Sequence, residues 1–185
     1  RHLSERDRKL INYLAKHDHW SPFAHAFVSL RMKAPIFVAR QLVKHQVGLA
    51  WNEESRRYID DEPEFFWPDE WRKRPDKSIK QGSGSAVDDQ TIADATLEYS
   101  MIHCEFAYKE LLRMGVAPEQ ARMVLPQSMY VRWIWSGSVM AFARVYRQRI
   151  DTHAQKESQE IAKRIERIVR PLFPASWEAL TRNGG

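Results

Sequence analysis

Between the acidic pair Asp88-Asp89 and Gly115 the chain runs without a glycine or a proline, and its apolar residues recur at helical spacing. Ala95, Tyr99, Ile102 and Phe106 share one face, so the spacing predicts one helix over 88–114 with Gly115 as its stop. At 1.5 Å per residue such a helix is about 40 Å long. Whatever fold the chain adopts must be built along it.

The flanking segments are shorter and mixed in type. "SERDRKLINYLAK" (4–16) begins with Ser4 and acidic residues and reads as a helix. "FAHAFVSLRMKA" (23–34) alternates like a strand and carries apolar residues in both sets, so burial on much of both faces is expected. Pro35 suits the first turn of a helix running to about His45, broken near Gly48 and Asn52. "SRRYI" and "EFFW" read as short extended pieces around the acidic turn 60–63, and the basic run 72–80 with "GSGS" as a loop. After Gly115, Pro118 opens a short helix that Pro126 ends. "MYVRWIWSG" (129–137) has the aromatic and β-branched content of a strand. Ser138 caps a helix to about Arg149, and helices over 154–170 and 175–182 follow, split by Pro171 and Pro174. The predicted class is α+β: a single domain over 1–185, with a small, mainly antiparallel sheet against several helices and one long central helix.

Composition excludes several functions. In 185 residues, 43% hydrophobic and 29% charged, no stretch approaches the roughly 20 apolar residues of a membrane span. The single cysteine, Cys104, rules out an internal disulfide and fits a reducing, cytoplasmic setting. It sits mid-helix beside Ile102 and Phe106, where an inert thiol is expected and not a nucleophile. Seven histidines offer no complete ligand set at metal-binding spacing, so no metal site is expected. "GSGS" lacks the lysine and helix of a phosphate loop. The chain opens on Arg1 and not on Met, and a missing N-terminal piece is expected.

The net charge of +5 is informative through its placement. Arg122, Arg132, Arg144, Arg147 and Arg149 crowd one window, and Arg40, Lys44, Arg56 and Arg57 interleave with Gln41, His45, Asn52, Glu53 and Ser55 in another. Singly, most arginines are solvated partners of carboxylates contributing about 0–1 kcal/mol. As a group, with amides and hydroxyls close by, they suit a site that clamps a phosphate and a polar ring, because guanidinium forks match phosphate oxygens bidentately. Ser136-Gly137-Ser138 at a helix start suggests another phosphate seat. Nucleic acid is the lesser reading of the same charge.

At these residues the sequence resembles the flavin-dependent thymidylate synthases over nearly its whole length. The family signature, Arg-His-Arg followed by seven residues and a serine, stands here as Lys44-His45-Gln46, eight residues and Ser55, with "NEESRRY" intact from Asn52 to Tyr58. "HWSPFAH", "KAPIFVARQ", "ARMVLPQSMYVR" and "RIDTHAQKE" match in the family's order. The resemblance implies reductive methylation of dUMP to dTMP with FAD, methylenetetrahydrofolate and NADPH, in a homotetramer with active sites between subunits. Carried over, dUMP would be bound by Gln41, Lys44, Glu53, Glu54, Ser55, Arg56 and Arg57, joined by Arg122 and Arg149 from a neighbouring subunit. FAD would be bound by His19, Ser21, Lys44, His45, Gln46, Ser138 and Arg144. The catalytic roles would fall to Arg149, which stabilises charge on the pyrimidine, Ser55 as a hydrogen-bond donor and His19 as a positioner of flavin or folate.

Departures gather on the flavin side. Ala24 replaces the family's glutamate, Gln46 its second motif arginine, and Ser138, Met140 and Arg144 its asparagine, arginine and asparagine. Arg144 lies one helical turn from Met140 and can restore the cation lost there. A nucleotide- or flavin-binding relative without synthase turnover is therefore the competing reading, and nucleic-acid binding the minor one.

Overall fold

The computed structural model describes residues 3–59, 61–76 and 82–182. Its class is the expected α+β one, with eight α-helices and a three-stranded antiparallel sheet ordered β1-β3-β2 among the described residues. Strand β1 is Phe27–Pro35, β2 is Leu49–Glu53 and β3 is Tyr130–Ser138. Hydrogen bonds at both ends set the register: Val139 N–H to the Ala26 carbonyl and Ile36 N–H to the Met129 carbonyl, each 2.9 Å. In β3, Trp133, Trp135 and Gly137 face inward. On the opposite face Ser136 Oγ meets Ser29 Oγ at 2.8 Å.

Chain contacts divide the molecule into two compact units. The first takes residues 1–31, 41–51 and 134–185. Here α1 (Glu5–Lys16) starts on a capping box, in which Asp7 N–H donates to Ser4 Oγ and Ser4 N–H to the Asp7 carboxylate. It packs on α8 (Pro174–Arg182). Helices α6 (Val139–Arg149) and α7 (Lys156–Leu172) pack on each other and on α8. The spacing Ser158, Ile161, Ala162, Ile165, Val169 gives α7 its buried stripe. Trp135, Phe142 and Trp177 form the aromatic heart of this unit.

The second unit takes residues 32–40 and 52–133. Its axis is α4 (Gln90–Arg113), capped by the Asp89 carboxylate on Ile92 N–H, against which α5 (Pro118–Ala121) and the 3-10 turn Arg122–Val124 pack. The predicted helix is therefore present, but its predicted apolar face is not covered. Tyr99, Ile102 and Phe106 are 67, 58 and 66% exposed, while Met101 and Tyr108 supply the buried positions. Cys104 is consequently only half-buried.

Other expectations need correcting. The predicted strand from residue 23 begins four residues later, because Pro22 starts the helical turn α2 (Ser21–Ala24), which buries Phe23. Only one face of β1 is buried, through Leu30, Met32 and Ala34, while Phe27, Ser29, Arg31 and Lys33 face out. Pro35 closes the strand instead of opening the helix, and α3 is only Ile36–Leu42. "SRRYI" is a turn and "EFFW" holds a single bridge, Phe65 to Met129. Asp60, from the acidic turn, and residues 77–80, from the basic run, lie outside the described residues. Among the described residues no helix is long and apolar enough to cross a membrane.

Candidate active site

In the first unit the site grows from two joints. The strand β3 passes directly into α6 at Ser138, whose hydroxyl accepts from Ala141 N–H at 3.2 Å. Val139 N–H is already held by Ala26. The expected phosphate seat at this helix start is thus largely occupied by the protein's own acceptors. The second joint is the segment after α3, where Gly48 turns with φ +74°, a conformation costly for a side chain. A Cβ on Gly48 would stand 3.2 Å from Ala141 Cβ.

Two cavities share the wall between these joints. The smaller, about 180 Å³, is lined by Lys44, His45, Gln46, Arg144, Gln148 and Arg149 together with apolar neighbours. The larger, about 790 Å³, is mainly apolar and lined by Trp20, Ala24, Phe27, Leu49, Met140 and others, with Asp18 and Arg144 as its charges. Val47, Leu49, Ala141 and Arg144 belong to both, so among the described residues Arg144 is the one cation common to the two. Of the five flavin-side departures, Ala24, Ser138, Met140 and Arg144 line the larger cavity, while Gln46 lines the smaller one.

Arg149, at the end of α6, is held inward. Its Nε donates to His45 Nε2 at 2.8 Å and its Nη2 to the Gln41 carbonyl at 3.2 Å. Burial first, then the guanidinium charges of Arg149 and Arg144, push the His45 pKa down to about 4. The ring is neutral at physiological pH.

Gly137 sets the wall from behind. A Cβ there would lie 2.5 Å from Leu49 Cδ2 and 2.7 Å from the Gly48 carbonyl oxygen. Gly137→Ala should therefore destabilise the fold by about 1–3 kcal/mol through overpacking and drive Leu49 into both cavities. Thermal unfolding and ligand titration check this; an unchanged Tm would show that the strand shifts freely.

The second unit carries a separate cluster. Arg57 Nε and Nη2 both donate to one Glu119 carboxylate oxygen, at 3.2 and 3.1 Å, and Arg122 Nε donates to the Glu119 carbonyl at 3.2 Å. Arg57 and Arg122 are thus brought together around one exposed residue. Ser55 Oγ accepts from Arg57 N–H at 3.3 Å, leaving its own proton to donate. Arg56 points elsewhere: its guanidinium binds the carbonyls of Asp61 and Glu62 and lies over Tyr108, pinning the turn at Arg56 and Arg57 to α4. The Glu54 carboxylate stands 3.8 Å from Arg132, which also pairs with Glu64. Glu53 ends β2 and is exposed.

Set against the sequence, Lys44, His45, Gln46, Arg144 and Arg149 meet in one cavity, and Ser138 lines the other. His19 and Ser21 flank the cavity residue Trp20; the His19 ring lies 6.2 Å from that of Tyr13, inclined by 28°. The Gln41 amide faces inward to Gln155 and Ser158. Sequence reasoning missed Glu119, Gln148, Trp20 and Phe27. Glu119 carried a signal, one helical turn before Arg122 in "PEQAR".

The profile of the thymidylate synthase complementing proteins matches residues 1–175. The chain belongs to that family. A flavin-dependent thymidylate synthase of Kosmotoga olearia is 41% identical over 177 residues, covering 95% of this chain and 76% of the relative. One of Thermosipho africanus is 40% identical over 185 residues, covering 96% and 78%. Among solved structures, the UMP/dUMP methylase PolB of Streptomyces cacaoi bound with 5-Br dUMP superposes with a TM-score of 0.87 at 28% identity, covering 98% of this chain and 82% of that one. The chain is thus a member of the flavin-dependent thymidylate synthase family.

Proposed function

We propose that this chain is a flavin-dependent thymidylate synthase, converting dUMP to dTMP. The observation that carries the reading is Arg149: it is fixed by two hydrogen bonds in the wall of a cationic cavity that shares Leu49, Ala141 and Arg144 with an apolar one. That pairing suits two planar heterocycles side by side.

The residues present fit a flavin. Trp20, Phe27, Leu49 and Met140 offer apolar area to a ring system, and Arg144 offers a cation to a carbonyl edge. When bound, FAD supplies the hydride that completes the methyl group, with methylenetetrahydrofolate giving the carbon and NADPH the electrons. The protein's task is binding and electrostatics. Arg149 stabilises negative charge developing at the uracil carbonyl edge, and because its geometry is fixed beforehand no reorganisation opposes it. Ser55 donates a hydrogen bond, and the apolar walls exclude water. In the second unit Arg57 and Arg122 take the phosphate of a nucleotide shared between subunits of the homotetramer, the phosphate replacing the Glu119 carboxylate on the Arg57 guanidinium. Arg56 acts behind them by holding the turn.

The family's homotetramer gives the bare face of α4 a partner. Ile92, Ala95, Tyr99, Ile102 and Phe106 alternate at three and four residues, the seam of two packed helices. We assign this face to a second copy of the chain. Ile102→Glu combined with Phe106→Glu should lower the mass found by light scattering to that of a smaller species. An unchanged mass would place the subunit contact elsewhere.

The direct test is a flavin spectrum. Added FAD should shift its visible absorbance on binding, dUMP should shift it again, and the full mixture should yield dTMP. Binding without dTMP would indicate a relative that has lost turnover. No spectral change and no dTMP would remove the synthase reading.

A further inference from the structure

We infer that Arg149 locks His45 as the neutral tautomer protonated on Nδ1, making the imidazole a hydrogen-bond donor in the small cavity, and that Gln41, anchored by Ser158, is the positioning residue that maintains the lock. The site is the one read above as the synthase cavity, and the inference rests on that reading only for the identity of its ligand.

The chemistry of the contact fixes the tautomer. An arginine Nε carries one hydrogen and no available lone pair, so it can only donate. At 2.8 Å from it, His45 Nε2 must accept, and a neutral ring that accepts on Nε2 bears its proton on Nδ1. Protonating Nε2 would set two donors and two cations against each other. Nothing in the surroundings favours that state. Arg149 and Arg144 face the ring from α6, Lys44 precedes it, and among the described residues no carboxylate lines this cavity. The low pKa of His45 agrees with the geometry.

The lock has a scaffold. His45 N–H donates to the Leu42 carbonyl at 2.9 Å, which holds the segment after α3. The second tie of Arg149 is to the Gln41 carbonyl. The Gln41 side chain is itself tied on both ends: its amide donates to the Gln155 side chain, and its oxygen accepts from Ser158 Oγ at 3.3 Å. Ser158 is completely buried on α7. A hydrogen-bonded path therefore runs from α7 through Gln41 to the guanidinium. A buried hydroxyl without this partner would cost about 1–3 kcal/mol, so the Gln41 amide is held inward. Gln41 thus positions Arg149.

The consequence is a cavity of donors. Lys44, His45 Nδ1–H, Arg144 and Arg149 all present hydrogens, and the amides of Gln46 and Gln148 can turn to suit. Its ligand is recognised through an acceptor edge, such as a carbonyl pair or a deprotonated imide of a planar heterocycle. Below the pKa of His45 the ring becomes a second donor facing Arg149, and the arrangement breaks.

The test is nitrogen-15 NMR on the intact protein labelled at histidine, with no flavin or nucleotide added. His45 should show an unprotonated Nε2, a protonated Nδ1 and a midpoint near 4. A protonated Nε2, or a midpoint near the ordinary 6.5, overturns the tautomer. In Ser158→Ala the guanidinium loses its anchor, and the midpoint should rise toward 6.5 while kcat/KM falls about threefold to tenfold. Gln155→Ala should give the same pair of effects, which keeps the question open to test if the buried variant folds poorly. Both midpoints unmoved with kcat/KM within twofold would overturn the positioning role. Because the NMR readout needs no substrate, a negative result strikes this arrangement alone, and absence of dTMP formation strikes the functional reading alone.

A stability signature follows with a definite sign. The folded chain excludes a proton that the unfolded chain takes up near 6.5, so stability is lost as pH falls from about 6.5 to about 4 and the loss levels off below. His45→Gln, which can accept and donate as the locked ring does, should remove that part of the slope in denaturant titrations. A slope identical to wild type would show that His45 contributes nothing to it.

Discussion

Arg149→Ala is expected to lower the rate of dTMP formation by about 10²- to 10³-fold, the loss of roughly 2.7–4 kcal/mol that accompanies removal of a preorganised oxyanion donor. The fold should survive. Arg149 is the last residue of α6, and the buried face of that helix, Val139, Phe142 and Val145, lies ahead of it. What the helix loses is one cation near its C-terminus, worth about 0.3–1 kcal/mol. Because the contact is proposed to strengthen as charge develops, kcat should fall more than KM rises. Arg149→Lys should recover little, since one ammonium group has no rigid fork to span His45 Nε2 and the Gln41 carbonyl while also meeting a substrate. Single-turnover rates with pre-reduced flavin, together with light scattering to confirm the assembly, decide the matter. A variant within threefold of wild type would remove Arg149 from the chemistry.

Arg57→Ala should act on a different parameter. Its phosphate contact is the same in bound substrate and transition state, so KM for dUMP should rise about 10- to 100-fold while kcat at saturation stays within a few fold. The size follows from a charge-assisted hydrogen bond at about 1.5–3 kcal/mol, less the cost of releasing Glu119. That cost is small, because both side chains of the pair are half exposed and such pairs contribute about 0–1 kcal/mol. Glu119→Gln is the internal control: it removes the competing carboxylate and should leave KM unchanged or lower it by up to about fivefold, in line with the same range. A raised KM in Glu119→Gln would mean that the carboxylate orients Arg57 for the phosphate instead of competing with it.

The two variants also separate what sequence alone could and could not tell. Caps were legible because they depend on a few local atoms: Ser4 with its acidic neighbours before α1 and Ser138 before α6 sit where their chemistry requires, whereas Asp89, which caps α4, was read as part of the helix. Strand β2 was not. Ala50, Asn52 and Glu53 have weak preference for extended backbone, and only pairing with β3 at Arg132 and Ser138 makes them a strand. Along α4 the periodicity revealed an apolar face but not its partner, and the chain itself covers the neighbouring stripe of Met101 and Tyr108. The site divides in the same way. Arg56 and Arg57 are adjacent and chemically identical in sequence, yet one binds carbonyl groups beneath a turn and the other meets a carboxylate in solvent. Gln41 lay in the right segment, but its role depends on Ser158, 117 positions away.

The passage from β3 into α6 has no intervening linker, and this limits how the chain can vary. Each residue added or removed between Ser138 and Arg149 would turn the helix end by about 100° relative to the sheet, swinging the guanidinium away from the imidazole that it grips. Length changes in this stretch should therefore abolish activity while leaving much of the secondary structure in place. Insertions at an exposed tip such as Gly82–Ser83 should pass almost unnoticed. Side chains along α6 can be exchanged more readily than its residue count, which is fixed by the architecture.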